Sequence, residues 1–237
     1  MRLNRFIAET GFCSRRKADW YIMEGRVKIR GKTVREPWVQ VKPSDPVYVD
    51  DLPCAVKEHV YLMVNKPKGV TTTLSDRYAD KKISDLLPQE LGRVFPVGRL
   101  DKNSRGLILM TTDGDLCYKL THPKFEVEKE YQLKLAGVPG EKDLGKAQAG
   151  LISGSDFLKV RSARIVRQGR DWSMIRVIVC EGKKRHLRRL FSALGFKVLD
   201  LKRIRIGSLT LDGLKEGELK KISYKDIAKA LQKRGKS

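Results

Sequence analysis

Phe95-Pro-Val-Gly-Arg-Leu-Asp-Lys-Asn-Ser-Arg-Gly-Leu-Ile-Leu-Met-Thr-Thr-Asp-Gly114 sets charged residues between glycine-bearing turns and an unbroken apolar strand. Such a segment can hold a carboxylate rigidly at the mouth of a strand. By spacing alone Asp101 reads first as an ordinary turn or cap aspartate, because a short acidic side chain satisfies local backbone donors.

Outward from this loop, short β-like runs fall at Tyr61–Val64, Lys129–Leu135, Met174–Val179 and Lys202–Ile206, with helical stretches at Ile83–Leu87 and Lys184–Leu194. The mixture predicts an α+β domain over residues 60–228. In the second helical stretch Leu187, Leu190, Phe191 and Leu194 recur as a core stripe, which leaves Arg188 on the opposite side. Tyr131, in an alternating run, reads as a half-buried packing residue. Residues 229–237 read as a basic tail that frays.

Upstream, Leu3, Phe6 and Ile7 before Gly11 predict a short amphipathic helix, and Ser14 can cap a second one running through Ala18 and Ile22 to Gly25. Val27, Ile29 and Val34 then flank a Gly31-Lys32 turn, and Val47 to Val49 adds a strand. Residues 1–50 form one small domain by this reading. Residues 51–59, with Pro53 and little periodicity, form a linker. Gly25, Gly31, Lys32 and Thr33 imitate a phosphate-binding loop, but five residues separate the glycines where four are required, so nucleotide binding is rejected.

Fifty Lys and Arg among 237 residues stand against 28 Asp and Glu, a net charge of +22, and this implies a polyanionic partner. No apolar run is long enough for a membrane span, so nucleic acid is the better reading than a lipid surface. Eleven basic residues against six acids fill positions 1–50; nine against two fill the stretch from Glu181 to Arg205. Cys13, Cys54, Cys117 and Cys180 and the histidines His59, His122 and His186 are scattered, which fits a reducing cytoplasm and no metal site. The first residues, MRLNRFIAE, lack the apolar core of a secretory signal.

RLNRFIAETGFCSRRKADWYIMEGRVKIRGKTV resembles the small S4-like RNA-binding domain, in which two helices and a short sheet present basic residues to structured RNA. GRLDKNSRGLILMTTDG resembles the signature loop of the pseudouridine synthases, in particular the bacterial ribosomal-RNA branch that carries an S4-like domain. Three more segments follow that family's order: NKPKGV at 65–70, EKEYQL around Tyr131, and EGKKRHLRRLFSALG around Arg188. Ser104 and Leu190 stand where many members have threonine and methionine, swaps that keep size and chemistry close.

The resemblance implies an S4-like domain followed by a catalytic domain with a mixed, largely antiparallel sheet and flanking helices. It implies Asp101, Tyr131 and Arg188 as catalytic residues and Arg99 as the side chain that enters the RNA where the target base flips out. The RNA contacts expected with it are Arg15, Arg16, Lys17, Arg26, Lys28, Lys32, Lys66, Lys184, Arg185, Arg189 and Arg203. The implied reaction turns one uridine, in large-subunit rather than small-subunit ribosomal RNA, into pseudouridine. It is an isomerisation that calls for no cofactor. The expected actor is a cytoplasmic monomer working on free RNA or an assembling subunit. Two other readings stay open: a non-catalytic RNA-binding or ribosome-assembly factor on the same fold, and a nuclease holding magnesium between Asp101 and Asp113 or Asp115.

Overall fold

The computed structural model describes residues 1–55, 58–211 and 213–231. The chain divides into two compact units: residues 1–60 with 88–95 and 111–114, and residues 61–87, 96–110 and 115–237.

The first unit opens with α1 (Leu3–Glu9) and α2 (Arg15–Met23). The Ser14 hydroxyl accepts from the Lys17 amide and caps α2. Strands β1 (Val27–Ile29), β2 (Lys32–Val34), β3 (Val47–Val49) and β4 (Leu52–Cys54) form one antiparallel sheet in the order β2-β1-β3-β4. Arg30 and Gly31 both take left-handed backbone in the β1–β2 turn, the conformation that two-residue hairpins need. Leu3, Phe6, Ile7, Ala18, Ile22, Val27, Val47, Val49 and Cys54 meet in its core. Residues 52–54, expected in a linker, thus belong to this sheet. Asp50 and Asp51, both at positive φ, turn the chain back so that Cys54 buries beside Val47.

Apart from Phe95, Thr111 and Gly114, the second unit holds β5 (Tyr61–Lys66), β6 (Phe95–Pro96), β7 (Arg105–Thr111), α3 (Gly114–Thr121), β8 (Lys129–Ala136), α4 (Glu141–Ala149), β9 (Leu151–Ser153), β10 (Asp156–Leu158), β11 (Ser162–Gln168), β12 (Trp172–Val179), α5 (His186–Ala193), β13 (Val198–Ile206), β14 (Leu209–Thr210), β15 (Leu219–Lys221) and α6 (Tyr224–Leu231). The main sheet runs β11-β12-β8-β13-β7-β5-β15, with β14 on β13 and β6 on β7. The β13–β7 pairing is parallel, whereas β11–β12, β12–β8, β13–β8 and β15–β5 are antiparallel. The sheet is therefore mixed and largely antiparallel, and the fold is α+β.

Central position explains the strand compositions. Leu107, Ile108, Leu109 and Met110 of β7 are all buried, as in a strand covered on both faces, whereas β8 buries Tyr131, Leu133 and Leu135 in strict alternation. Helix α5 buries Leu187, Leu190 and Phe191, each worth about 1.5–3 kcal/mol relative to exposure. Two expectations change in detail. Ile83–Leu86 is a single 3-10 turn, too short for an α-helix. Residues 229–231 close α6, where Ala230 is buried, and the rest of the expected tail lies outside the described residues. Among the described residues no helix is long and apolar enough to cross a membrane.

Candidate active site

Asp101 begins a turn: the Ser104 amide donates to the Asp101 carbonyl at 2.9 Å. The local reading of Asp101 as a turn aspartate is correct for its backbone. Its side chain, half-buried, faces a cavity of about 410 Å3 whose walls also carry Thr72, Arg99, Ser104, Tyr131, Lys184, Arg185 and Arg188. The signature loop, β8 and the segment leading into α5 thus converge on one space, bringing together Asp101, Tyr131, Arg188 and Arg99.

The backbone of the Asp101 turn is fastened residue by residue. Thr72 Oγ1 donates to the Leu100 carbonyl at 2.7 Å and accepts from the Leu100 amide at 3.2 Å. The Gly69 amide donates to the Lys102 carbonyl at 2.8 Å. Lys66 Nζ donates to the Ser104 carbonyl at 2.7 Å, to Pro67 at 2.9 Å, and at the limit of hydrogen bonding to Lys102 at 3.5 Å. Arg188 reaches from α5 to the Asn103 carbonyl at 2.9 Å and to the Val198 carbonyl at 3.0 Å. Among the described residues the Asp101 carboxylate takes part in no ion pair, so Arg188 grips the loop rather than the carboxylate.

Electrostatics follow from this packing. Burial pushes the Lys66 ammonium down to about 8, with the Asp101 carboxylate working the other way. Burial, then the like charge of Arg185, also lowers Arg188, against the pull of Asp101 and Asp200. Asp200 is held below the usual carboxylate range despite its burial, because Arg105 donates to it at 2.8 Å from the start of β7. Tyr131 lies under the Arg203 guanidinium, 5.9 Å from carbon to ring centroid, and its hydroxyl accepts from Arg203 Nη1 at 3.4 Å. Among the described residues Ser104 Oγ, Arg188 Nε and Arg203 Nη2 are buried without a hydrogen-bond partner, an arrangement that costs stability.

The expected RNA-facing cations divide into three groups. Arg15, Arg16, Lys17, Lys32, Arg99, Lys184 and Arg185 are exposed. Arg26 and Lys28 are engaged by acids, Arg26 with Asp50 at 2.5 Å and Lys28 with Asp51 at 2.8 Å, and Arg189 is tied to Asp156 at 2.6 Å. Lys66 and Arg203 are corrections. They are buried at 0% and 4% exposure, and Arg203 Nε donates to the Leu107 carbonyl at 2.7 Å, so neither lies on a phosphate-binding surface. Both sit at the end of or within apolar strands of the central sheet, and a lysine that ends the fully buried strand β5 has nowhere to extend. Sequence reasoning missed Thr72 and Gly69 as loop anchors. The NKPKGV segment held that signal, since its lysine and glycine serve the loop backbone. Among the described residues no three His, Cys, Asp or Glu side chains cluster as a metal site.

The chain thus joins two helices and a small four-stranded sheet to an α+β domain in which a buried lysine fastens the turn of one aspartate. The model of the RNA pseudouridylate synthase family matches residues 60–193, and that of the S4 domain matches residues 1–47. The chain is 35% identical to ribosomal large subunit pseudouridine synthase B of Bacillus subtilis, with 100% of this chain and 98% of the relative covered. It is 37% identical to an uncharacterized RNA pseudouridine synthase of Aquifex aeolicus over 96% of this chain and 92% of that one. A crystal structure of a pseudouridylate synthase superposes with a TM-score of 0.68 at 30% identity, over 97% of this chain and 99% of that one. The chain belongs to the RNA pseudouridylate synthase family, with an S4 domain at its N-terminus. It is an enzyme that isomerises uridine in RNA to pseudouridine.

Proposed function

We propose that the chain modifies a uridine of large-subunit ribosomal RNA, with Asp101 as the reactive carboxylate and Tyr131, Arg188 and Arg99 as its partners. The observation that carries the site assignment is convergence: these four side chains line one cavity. The choice of RNA follows the Bacillus relative, whose likeness runs the whole length of the chain.

In the reaction the bond from ribose C1′ to uracil N1 breaks, the base turns, and C1′ joins C5, which then gives up its proton while N1 gains one. No electrons are exchanged with another molecule, so the chemistry calls for positioned charge rather than a redox partner. The Asp101 carboxylate serves at the ribose, either against the positive charge growing on C1′ or at the neighbouring sugar proton. In this reading the Tyr131 ring offers a face for the detached uracil and its hydroxyl, which accepts from Arg203, relays the C5 proton. Arg188 keeps the Asp101 turn in place through Asn103, and Arg99, exposed at the cavity rim, takes the position of the extruded base.

The division of labour we assign has a first domain that ends after β4 and a catalytic domain from residue 60 through the end of α6 at Leu231. Arg15, Arg16, Lys17 and Lys32 in the first, and Lys184 and Arg185 in the second, meet phosphate. Arg26, Lys28 and Arg189 contribute less because their acids already engage them. The strong positive charge keeps copies apart and suits a monomer in the cytoplasm, on free RNA or an assembling subunit. Mapping pseudouridines in ribosomal RNA from cells with and without the protein tests this reading. One missing site in the large-subunit RNA is expected, and an unchanged map would refute the substrate.

A further inference from the structure

Arg185 differs from the cations around it. Its backbone lies in the left-handed region, φ 53°, where residues other than glycine are strained. Such strain persists where the surroundings enforce it, and it gathers at ligand sites. Arg185 is exposed, and among the described residues its guanidinium makes no hydrogen bond or ion pair, whereas Arg189 is held by Asp156 and Lys183 donates to the Phe157 carbonyl at 2.6 Å. Arg185 also presses its charge on Arg188. An exposed guanidinium without a partner, beside a second cation whose own donors are spent on backbone carbonyls, favours an anion.

The concavities beside Arg185 offer room for such an anion. Arg185 and Arg188 form the shared wall of three: the cavity of Asp101, a second of about 510 Å3, and a third of about 330 Å3. The second is completed by Ser192, Phe196, Lys197 and the backbone around Gly195 and Val198, and no acid lines it. Lys197 is exposed and, among the described residues, its ammonium has no partner. A strand whose uridine enters the Asp101 cavity must pass Arg185 to leave it on this side.

We propose that the groove of Arg185, Ser192, Phe196 and Lys197 is a nucleotide subsite that binds the phosphodiester and base flanking the target uridine in a single-stranded segment. Arg185 and Lys197 take the phosphate and Ser192 supplies a hydroxyl. Phe196, half-buried, offers a ring on which the flanking base stacks. The subsite ties the strand at the cavity mouth and so sets which residue is presented to Asp101. It rests on the reading of that cavity as the uridine site.

The test uses the full chain and a synthetic RNA stem-loop carrying the mapped target uridine, with one phosphodiester at a time replaced by an uncharged methylphosphonate. For the native chain, a single linkage next to the target should weaken binding about tenfold when neutralised, the scale of one charge-assisted contact. For Arg185→Gln/Lys197→Gln the fully charged RNA should bind about tenfold more weakly, and neutralising that same linkage should cost nothing further. Equal losses for native and doubly substituted chains would overturn the subsite, as would coupling to a linkage remote from the target. Circular dichroism checks that the exposed substitutions leave the fold intact. The same pair of RNAs bound to Asp101→Asn separates the two readings: coupling there supports the subsite irrespective of turnover, and full turnover there overturns the catalytic assignment alone.

Discussion

Arg188 ends on two backbone carbonyls from different segments, Asn103 at 2.9 Å and Val198 at 3.0 Å. A planar guanidinium holds the two from two separate nitrogens, Nη1 and Nη2, where a lysine would bring one. Arg188→Lys should therefore lose about as much turnover as Arg188→Met, about ten- to a hundredfold for a lost charge-assisted contact. Single-turnover release of tritium from C5-labelled uridine measures it, and a lysine variant near the native rate would return Arg188 to the role of a bare charge. Lys66 makes a second prediction at this scale. Pushed down to about 8, it donates as an ammonium at neutral pH and loses its charge as pH rises through about 8. Turnover should fall over that range, and Lys66→Met should be slow at every pH without that limb. Stability should move the other way. The folded pKa is depressed below the 10.5 of a free lysine, so between about pH 8 and 10.5 the unfolded chain holds a proton that the folded chain has released. Denaturant titrations should show stability rising over that window, and by less in Lys66→Met. Lys129, lowered to about 8 by burial and then by Arg203, adds to the rise, and the Cys13 and Cys54 thiols, raised by burial, work against it.

The loop and the parallel pair β7–β13 work as one element. Gly106, at φ 105°, stands opposite Arg203, and a Cβ there would lie 2.2 Å from the Arg203 carbonyl. Gly106→Ala should cost about 2 kcal/mol or more, because backbone cannot yield as a flexible side chain can. It should also slow turnover by shifting the strand that carries the Asp101 turn; thermal melts with tritium release check both. The elements most legible in the sequence are those whose cause is local: the Ser14 cap, the β1–β2 hairpin, whose turn falls at Arg30-Gly31 one residue before the expected Gly31-Lys32, and the strands around Tyr131 and Val177. What escaped was set by distant neighbours. Leu52–Cys54 pairs with β3 only because two aspartates accept positive φ, and Lys66 and Arg203 look like surface cations in sequence because nothing nearby in the chain tells which lysine or arginine ends inside a sheet. Asp101 is proposed on its motif and not on its spacing, since its backbone does what a turn aspartate does.

At the scale of the whole molecule, a net charge of +22 sets affinity while one carboxylate is assigned the chemistry. The exposed cations of the first domain should supply much of the binding. Changing Arg15, Arg16, Lys17 and Lys32 together to glutamine should weaken RNA binding and flatten its salt dependence by roughly 0.7–0.9 in logarithmic slope per lost contact. The rate at saturating RNA should persist. Filter binding across salt concentrations measures this, and an unchanged slope would move the anchoring surface elsewhere. The converse change is Asp101→Asn, which removes one charge and keeps the shape of the side chain. Single-turnover tritium release from a structured RNA carrying the target uridine, measured beside RNA affinity, is the most direct test. The expected result is a rate lower by about a thousandfold or more with affinity nearly intact; a variant that keeps most of the native rate would contradict the assignment of Asp101 as the reactive carboxylate.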